Sequence, residues 1–310
     1  MDAGAAACHP LGMQISLRQL EYAVAVAKHL NFSEAARSCF VSQPALSTQL
    51  QQLERSIGIK LFERQSRKIL VTDAGRPFLE RAERIVQDVK GLVESTKARK
   101  DPLTTELRLG LIPTVAPYVL PKLVAAVQEN YPKLRLYLTE DTTENVLASL
   151  EAGDLDLVLL ALDVELGRVE TRSLFEDPFH VAMPPDHPLA ERETIKAADL
   201  EGEEILLLGE GHCLSTHIMS ACGGRERVAS STFRANSLST LVQMVSTGAG
   251  ITLIPQIAVA SETACSPRLV VRKLDEPEAF RRVGLAWRPG APREREYELF
   301  TALLQRQSFV

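Results

Sequence analysis

The first hundred residues carry short amphipathic segments separated by polar breaks. Apolar side chains recur at three- and four-residue spacing over residues 17–29, which predicts a helix. Residues 33–39 and 43–53 predict two more helices, with a three-residue break between them. Ser42 can cap the later helix, and Pro44 in its first turn needs no N–H partner there. Two short helices about a tight turn predict a helix-turn-helix.

The next segment, residues 60–71, has apolar ends and a basic middle, the pattern of a β-hairpin wing. A wing beside a helix-turn-helix predicts a DNA-binding domain over residues 15–72, in which uncharged side chains read base edges and arginines contact phosphates. The candidate DNA-binding residues are Ser33, Ser42, Gln43, Pro44, Ser47, Thr48, Gln51, Arg64 and Arg67. The alternative is an ordinary helical subdomain with a polar face.

A long amphipathic segment follows the wing. Its apolar positions recur every three or four residues on a charged background, and they are Leu79, Ala82, Ile85, Val86, Val89, Leu92 and Val93. This spacing predicts a helix over residues 73–102 that serves both as a linker and as a dimerisation element. The alternative is a helix that packs on its own domain.

The remaining residues, 103–308, alternate strand-like and helical patterns. Strand-like apolar runs fall at 107–112, 134–138 and 155–160, with helical stretches near 118–129 and 143–152. This order predicts an α/β architecture with a parallel sheet, which binds ligands at the carboxyl ends of its strands.

A second unit of the same kind follows, with strand-like runs at 205–209 and 250–255. The chain then returns to the first unit. We therefore expect an effector domain of two α/β subdomains, joined by two crossings with a cleft between them. Subdomain I comprises residues 103–180 and 281–308, and subdomain II comprises residues 181–280.

Composition and charge sharpen this division. A chain of 310 residues that is 45% hydrophobic and 24% charged is long enough for two or three globular domains. The overall charge of −5 is uneven, since residues 13–100 carry a net +6 and residues 101–310 a net −10. A basic head on an acidic body favours a polyanionic partner, although chance unevenness of solvated charge gives the same numbers.

The sequence also bears on location and cofactors. No apolar run reaches the about 20 residues that a membrane-spanning helix needs, so no membrane partner is expected. Residues 1–14 lack a basic region and a long apolar core, which predicts a disordered extension rather than a signal peptide. Five cysteines, an odd number, favour a reducing cytoplasm. Neither a Cys-x-x-Cys motif nor a His pair at helical spacing is present, so no metal or cofactor is expected.

Cys213 and Cys222 stand nine residues apart, after an apolar run that ends on glycines. Residues 214–221 favour a helix, whose rise would leave the two sulfurs roughly 13 Å apart. A disulfide needs Cα atoms within about 7 Å. The pair is therefore either two inert thiols or a switch that must refold locally to close.

Taken together, the helix-turn-helix at 32–52, the wing at 60–71 and the junction Thr72-Asp-Ala-Gly75 resemble the LysR-type transcriptional regulators. The resemblance covers about residues 14–306. It implies a winged helix-turn-helix, a long linker helix and a periplasmic-binding-protein-like effector domain. It further implies a homotetramer, a dimer of dimers, that contacts promoter DNA and RNA polymerase.

Within that family the chain is most similar to the members that sense hydrogen peroxide. The matching blocks are Gly110–Tyr118, Gly211–Leu214 with Cys222 in register, Phe233–Leu238, Gly250–Leu253 and Gly284–Gly290. The similarity implies that Cys213 is the peroxidatic cysteine, which becomes a sulfenic acid, and that Cys222 resolves it as a disulfide. It also implies that peroxide and the departing oxygen are placed by Thr114, Thr143, His212 and Arg288.

One departure and several alternatives remain open. Ser215-Thr216 stands where those sensors usually carry an Arg-Asp pair, which bears on how the reduced loop is held. Taken alone, Thr114 is a candidate helix cap, His212 an ordinary loop histidine, and Arg288 a partner for a surface acid. At the level of function, the alternatives are a regulator that binds a small metabolite in the cleft and, from another class, a thiol peroxidase or reductase.

Overall fold

The computed structural model describes residues 15–65, 68–98, 102–209, 211–221 and 235–309. Contacts between residues divide the chain into two units, Met1–Val93 and Glu94–Val310. The mixed α/β fold class predicted from the sequence is confirmed.

The first unit is a small helical domain with a two-stranded wing. Its elements are α1 (Leu17–His29), α2 (Phe32–Ser38), α3 (Gln43–Ile57), β1 (Phe62–Gln65), β2 (Lys68–Val71) and α4 (Gly75–Ala98), which extends into the second unit. Side-chain caps begin the short helices, because Asn31 accepts the N–H groups of Ser33 and Glu34, and Ser42 accepts that of Ala45. The wing strands are antiparallel, with Phe62 opposite Val71.

The second unit contains two lobes on one sheet path. The elements of the first lobe are β3 (Glu106–Leu111), α5 (Ala116–Asn130), β4 (Arg135–Glu140), α6 (Thr143–Ala152), β5 (Leu157–Ala161), β10 (Phe280–Trp287) and α10 (Glu294–Gln305). Strands β3, β4 and β5 are parallel, as the alternating pattern predicted, and β10 joins β5 antiparallel. One apolar core fills this lobe.

The second lobe has its own apolar core. Its elements are β6 (Glu170–Met183), β7 (Thr194–Ile195), α7 (Cys213–Ala221), α8 (Leu238–Ser246), β8 (Thr252–Pro255), α9 (Gln256–Cys265), β9 (Val270–Leu274) and two short 3-10 helices, Pro188–Glu191 and Ala197–Leu200. The long strand β6 pairs with β10 along its first half and with β8 and β9 along its second half. The two lobes are thus joined through β6 and β10.

One predicted strand needs correction. Residues 205–209 form no strand, because the backbone meets its neighbours only at single bridges, Ile205 with Ile251 and Leu208 with Ala235. The run is apolar since Ile205, Leu206 and Leu208 all fill the core of the second lobe. Its apolar character therefore reports burial rather than a ladder of hydrogen bonds.

Candidate functional site

Cys213 is the first residue of α7 and lies at the junction of the two lobes. Its side chain is 9% exposed and packs with the core of the first lobe, whereas Leu214 and Ile218 of the same helix pack in the core of the second. The sulfur is a free thiol. The position at a helix N-terminus favours negative charge, because unpaired backbone N–H groups point there.

The loop before Cys213 lies against the first lobe. Gly211 has a φ of +86°, and a Cβ built on it would lie 3.2 Å from Cγ2 of Thr142. Glycine is thus required both by its left-handed backbone and by this close approach. The contact brings the loop of His212 and Cys213 to the start of α6.

Thr143 begins α6, next to Thr142. Its hydroxyl oxygen is buried and has no hydrogen-bond partner within the described residues. Buried polar atoms are almost always partnered, so an unpartnered one indicates a position that a small polar molecule can occupy. Thr143 therefore has a hydroxyl available to a small polar molecule, next to the residue that Gly211 approaches.

Thr114 lies between β3 and α5 and is fully engaged by Arg281. The Arg281 guanidinium donates from Nη1 to the Thr114 hydroxyl at 2.8 Å and from Nη2 to the Thr114 carbonyl at 2.9 Å. The same guanidinium pairs with Asp177, with Nε at 3.0 Å and Nη2 at 2.9 Å from Oδ2. Both charged side chains are completely buried. Burial raises the pKa of Asp177, and the positive charge of Arg281 opposes that rise.

Arg288 lies elsewhere in the first lobe. Its Nη1 donates to the carbonyls of Leu150 and Leu155, the latter at 2.7 Å, at the carboxyl end of α6. Among the described residues it is Arg281, not Arg288, that contacts Thr114. Arg281 was not predicted from the sequence. A signal was present, because Arg281 and Val283 are two residues apart in an apolar strand and so face the same side of the sheet.

Two histidines flank Cys213. His212 is half-buried, and burial lowers its pKa. His217, which the sequence reading also passed over, is 7% exposed and lies with its ring 6.4 Å from that of Phe179. Burial lowers the pKa of His217, the Arg281 guanidinium lowers it further, and the Asp163 carboxylate raises it. Thr114 thus contacts Arg281, and Arg281 acts electrostatically on His217, which lies one helical turn after Cys213 on α7.

The other cysteines divide by position. Cys222 lies outside the described residues, as does Cys8. Cys39 is half-buried in the first unit, and Cys265 is exposed at the end of α9. Within the described parts of the chain, no group of three or more His, Cys, Asp or Glu is arranged to hold a metal ion, and no helix is long and apolar enough to span a membrane.

A second polar contact joins the lobes. The Tyr118 hydroxyl of α5 donates to Oε1 of Glu262 on α9 at 2.6 Å, and Ser239 of α8 donates to the same oxygen at 2.9 Å. Glu262 is almost fully buried. Burial and this carboxylate together raise the pKa of Tyr118, so the phenol stays protonated and keeps donating.

The candidate DNA-binding residues cluster about the start of α3. Ser33 donates to Oε1 of Gln43 at 3.1 Å, which ties α2 to the first turn of α3, and Ser42 caps that turn. Thr48 donates to the carbonyl of Pro44 at 2.9 Å within the helix. Gln43, Pro44, Thr48 and Gln51 are exposed, whereas Ser47 is half-buried. Arg64 belongs to β1, and Arg67 lies outside the described residues.

Family models match both units of the chain. The model for the bacterial regulatory helix-turn-helix protein, lysR family, matches residues 17–76, and that for the LysR substrate binding domain matches residues 100–308. The chain is 42% identical over 284 residues to the DNA-binding transcriptional dual regulator OxyR of Escherichia coli K12, which covers 92% of this chain and 93% of that protein.

Solved structures agree with this match over the whole length. A full-length OxyR cysteine-to-aspartate variant from Pseudomonas aeruginosa superposes with a TM-score of 0.81 at 32% identity, over 96% of this chain and 97% of that one. A hydrogen peroxide-bound cysteine-to-serine variant of Corynebacterium glutamicum OxyR gives a TM-score of 0.65 at 35% identity, over 94% and 92%. The chain therefore belongs to the LysR family of bacterial transcription regulators, among the OxyR proteins.

Proposed function

We propose that this protein is a DNA-binding transcription regulator that senses hydrogen peroxide through Cys213, with Cys222 as the resolving cysteine. The observation that carries the proposal is the position of Cys213 at the N-terminus of α7, where the two lobes meet. The relatives named as OxyR, one of them in a peroxide-bound structure, support the same chemistry.

The chemistry needs only two thiols and one peroxide. The Cys213 thiolate attacks one oxygen, the O–O bond breaks, and hydroxide leaves and is protonated to water, which yields a sulfenic acid. The Cys222 thiolate then attacks the sulfenic sulfur, and a second water leaves as the disulfide forms. Because the protein must be reduced before it reacts again, this is a sensing step rather than enzymatic turnover.

Closing the disulfide requires α7 to unwind. Ala221 ends α7 and directly precedes Cys222 in the sequence. The helical rise places the Cα of Cys213 about 12 Å from the Cα of Ala221. A disulfide tolerates at most about 7 Å between Cα atoms. Unwinding removes Leu214 and Ile218 from the second core, which couples oxidation to the arrangement of the lobes.

The roles of the surrounding residues follow from their placement. Thr143 offers its unpartnered hydroxyl to the oxidant, and His212 orients it from the loop before Cys213. Thr114 contributes through its bond with Arg281. Arg288 supports α6 from its carboxyl end, so any effect that it has on peroxide is indirect.

The proposed assembly is a homotetramer that acts on promoter DNA and RNA polymerase in the cytoplasm. Exposed apolar side chains mark two surfaces for self-association, Ile85 and Leu92 on α4 and Tyr137 and Leu138 on β4. Strand β4 lies at the edge of the sheet. Two different surfaces on one chain are what a dimer of dimers requires.

The test is to treat reduced protein with stoichiometric peroxide and to map the disulfides by peptide mass spectrometry. Cys213→Ser is the test variant, and Cys265→Ser is the matched control because that thiol is exposed and remote in sequence. A Cys213–Cys222 bridge in wild type and in the control, but not in Cys213→Ser, supports the proposal. A small metabolite that raises the melting temperature equally in wild type and Cys213→Ser would contradict it.

A further inference from the structure

His217 is a buried imidazole one helical turn after Cys213. Residues four apart on a helix lie on the same face, so its ring shares the face of α7 that carries the sulfur. The side chain is 7% exposed, and its ring lies against Phe179 of β6. The mechanism proposed above does not use this residue.

Both ring nitrogens of His217 are inaccessible to solvent. Within the described residues neither makes a well-formed hydrogen bond, although the backbone of Asp163 and of Cys213 lies near enough to raise the pKa of the ring. A histidine that only fills a core normally satisfies at least one nitrogen, because leaving a polar atom buried and unpaired costs about 1–3 kcal/mol. Two such nitrogens one helical turn from Cys213 instead indicate a place for a small polar molecule.

Burial, more than the charges that face the ring, lowers the pKa of His217. Arg281 on β10 repels a second positive charge, Asp163 after β5 attracts one, and Asp177 on β6 is already paired with Arg281. Burial is the largest influence and, like Arg281, lowers the pKa of His217. A neutral imidazole can accept a proton at one nitrogen and donate one at the other.

We propose that His217 is the proton relay of the reaction between Cys213 and peroxide, acting through the peroxide itself or one bridging water. In the first half, the ring takes the proton of the Cys213 thiol and becomes imidazolium. In the second, the thiolate breaks the O–O bond, and the imidazolium returns its proton to the departing hydroxide, which leaves as water. Sulfur is oxidised to sulfenic acid, peroxide is reduced, and the ring ends neutral. This inference rests on the proposed function.

Chemical rescue distinguishes a relay from a space-filling ring. The experiment measures the second-order rate of peroxide consumption by full-length reduced protein for wild type, His217→Ala and the matched control His187→Gln. A positioned acid–base group contributes about 10²–10⁴-fold, so His217→Ala should be slowed by about 10²-fold or more. Added imidazole should restore much of the rate to His217→Ala, whereas pyrazole, which has the same size but is a far weaker base, should not.

A second variant tests the relay even if His217→Ala does not fold. His217→Gln keeps the size and polarity of the side chain but cannot shuttle protons, so it should remain slow while its melting temperature stays near that of wild type. Wild type should lose rate as pH falls through the pKa of His217, which burial holds below the ordinary histidine value, and His217→Gln should lack this decline because it has no imidazole to protonate.

The outcomes separate this inference from the proposed function. If wild type forms the Cys213–Cys222 bridge but His217→Ala reacts as fast, or pyrazole rescues as well as imidazole, the relay is wrong and the sensor stands. If His217→Ala does not fold and His217→Gln reacts at the wild-type rate, the relay is also wrong. If wild type itself does not oxidise at Cys213, the proposed function fails.

Discussion

At the scale of single residues, the site depends on side chains and backbone positions whose contacts restrict substitution. Arg281 connects Thr114 of the first lobe to Asp177 of the crossing strand β6, and the side chains of Arg281 and Asp177 are completely buried. Gly211 combines a left-handed backbone with a close approach to Thr142. Each of these residues gives a sharp prediction.

Gly211→Ala should destabilise the reduced protein more than Gly202→Ala does. Both glycines have positive φ, at +86° and +91°, so both alanine variants carry a conformational cost of about 1–2 kcal/mol. Only at Gly211 would the added Cβ also press on Cγ2 of Thr142, since nothing lies within 4 Å at Gly202. Urea unfolding of the reduced variants measures the difference, and Thr142→Ser should relieve the excess. An equal loss of unfolding free energy in the two variants would contradict the close approach of Gly211 to Thr142.

Arg281→Ala should lower the free energy of unfolding by about 3–5 kcal/mol, because it leaves the Asp177 carboxylate buried without its partner. The matched change Arg288→Ala removes hydrogen bonds to two carbonyls and should cost less. Peroxide kinetics on the two variants separate their roles, and only Arg281→Ala should slow the oxidation of Cys213. If Arg288→Ala slowed the oxidation of Cys213 more than Arg281→Ala did, Arg288 would be the arginine that acts on peroxide, as the sequence predicted.

At the scale of elements, α7 is the part that must change. Besides its apolar contacts, it is held by Ser215, whose hydroxyl donates to the Leu208 carbonyl at 3.0 Å. The reduced helix is therefore held by one neutral hydrogen bond at this position.

Ser215→Ala should make the Cys213–Cys222 disulfide harder to reduce. Losing the bond to Leu208 destabilises the helical, reduced form by about 1 kcal/mol, which corresponds to a potential about 20 mV more negative for a two-electron couple. Redox titration against a glutathione buffer gives the value. Thr216→Ala, at the exposed neighbouring position, is the control and should leave the potential unchanged. A shift to a less negative potential in Ser215→Ala would contradict this account of α7.

Helices and strands could be predicted from the sequence where neighbouring residues alone determine them. The caps of α2 and α3 and the alternation of β3, α5, β4, α6 and β5 follow from side-chain period and hydrogen-bonding type, and they are found. Residues 205–209 were predicted as a strand and do not form one, because a fully buried segment is apolar whether or not its backbone pairs with another strand. Arg281 and His217 could not be placed, because their importance depends on contacts between lobes that are distant in sequence.

At the scale of the whole molecule, two lobes share one sheet path, and two of the polar contacts at their junction are buried. Arg281 with Asp177, and Tyr118 with Glu262, both cross between the lobes. Unwinding α7 removes packing from the second core, whereas the strand pairing between β6 and β10 does not include α7. Oxidation can therefore shift the lobes while the chain stays folded.

Assembly should depend on two separate apolar surfaces. Ile85→Asp on α4 and Leu138→Asp on β4 should each reduce the tetramer to a dimer, and the double variant should give a monomer, because each change places a charge in a different interface. Light scattering after size exclusion measures the mass. Glu129→Lys, a charge change at an exposed site on α5, is the control. A single variant that gives monomers directly would show that one surface serves both contacts.

The most direct test of the central claim is the disulfide map of the reduced protein after one equivalent of hydrogen peroxide. The account predicts a bridge between Cys213 and Cys222 within seconds, with Cys39 and Cys265 still free. Both Cys213 and Cys222 remaining as thiols after minutes, or a bridge that excludes Cys213, would contradict it.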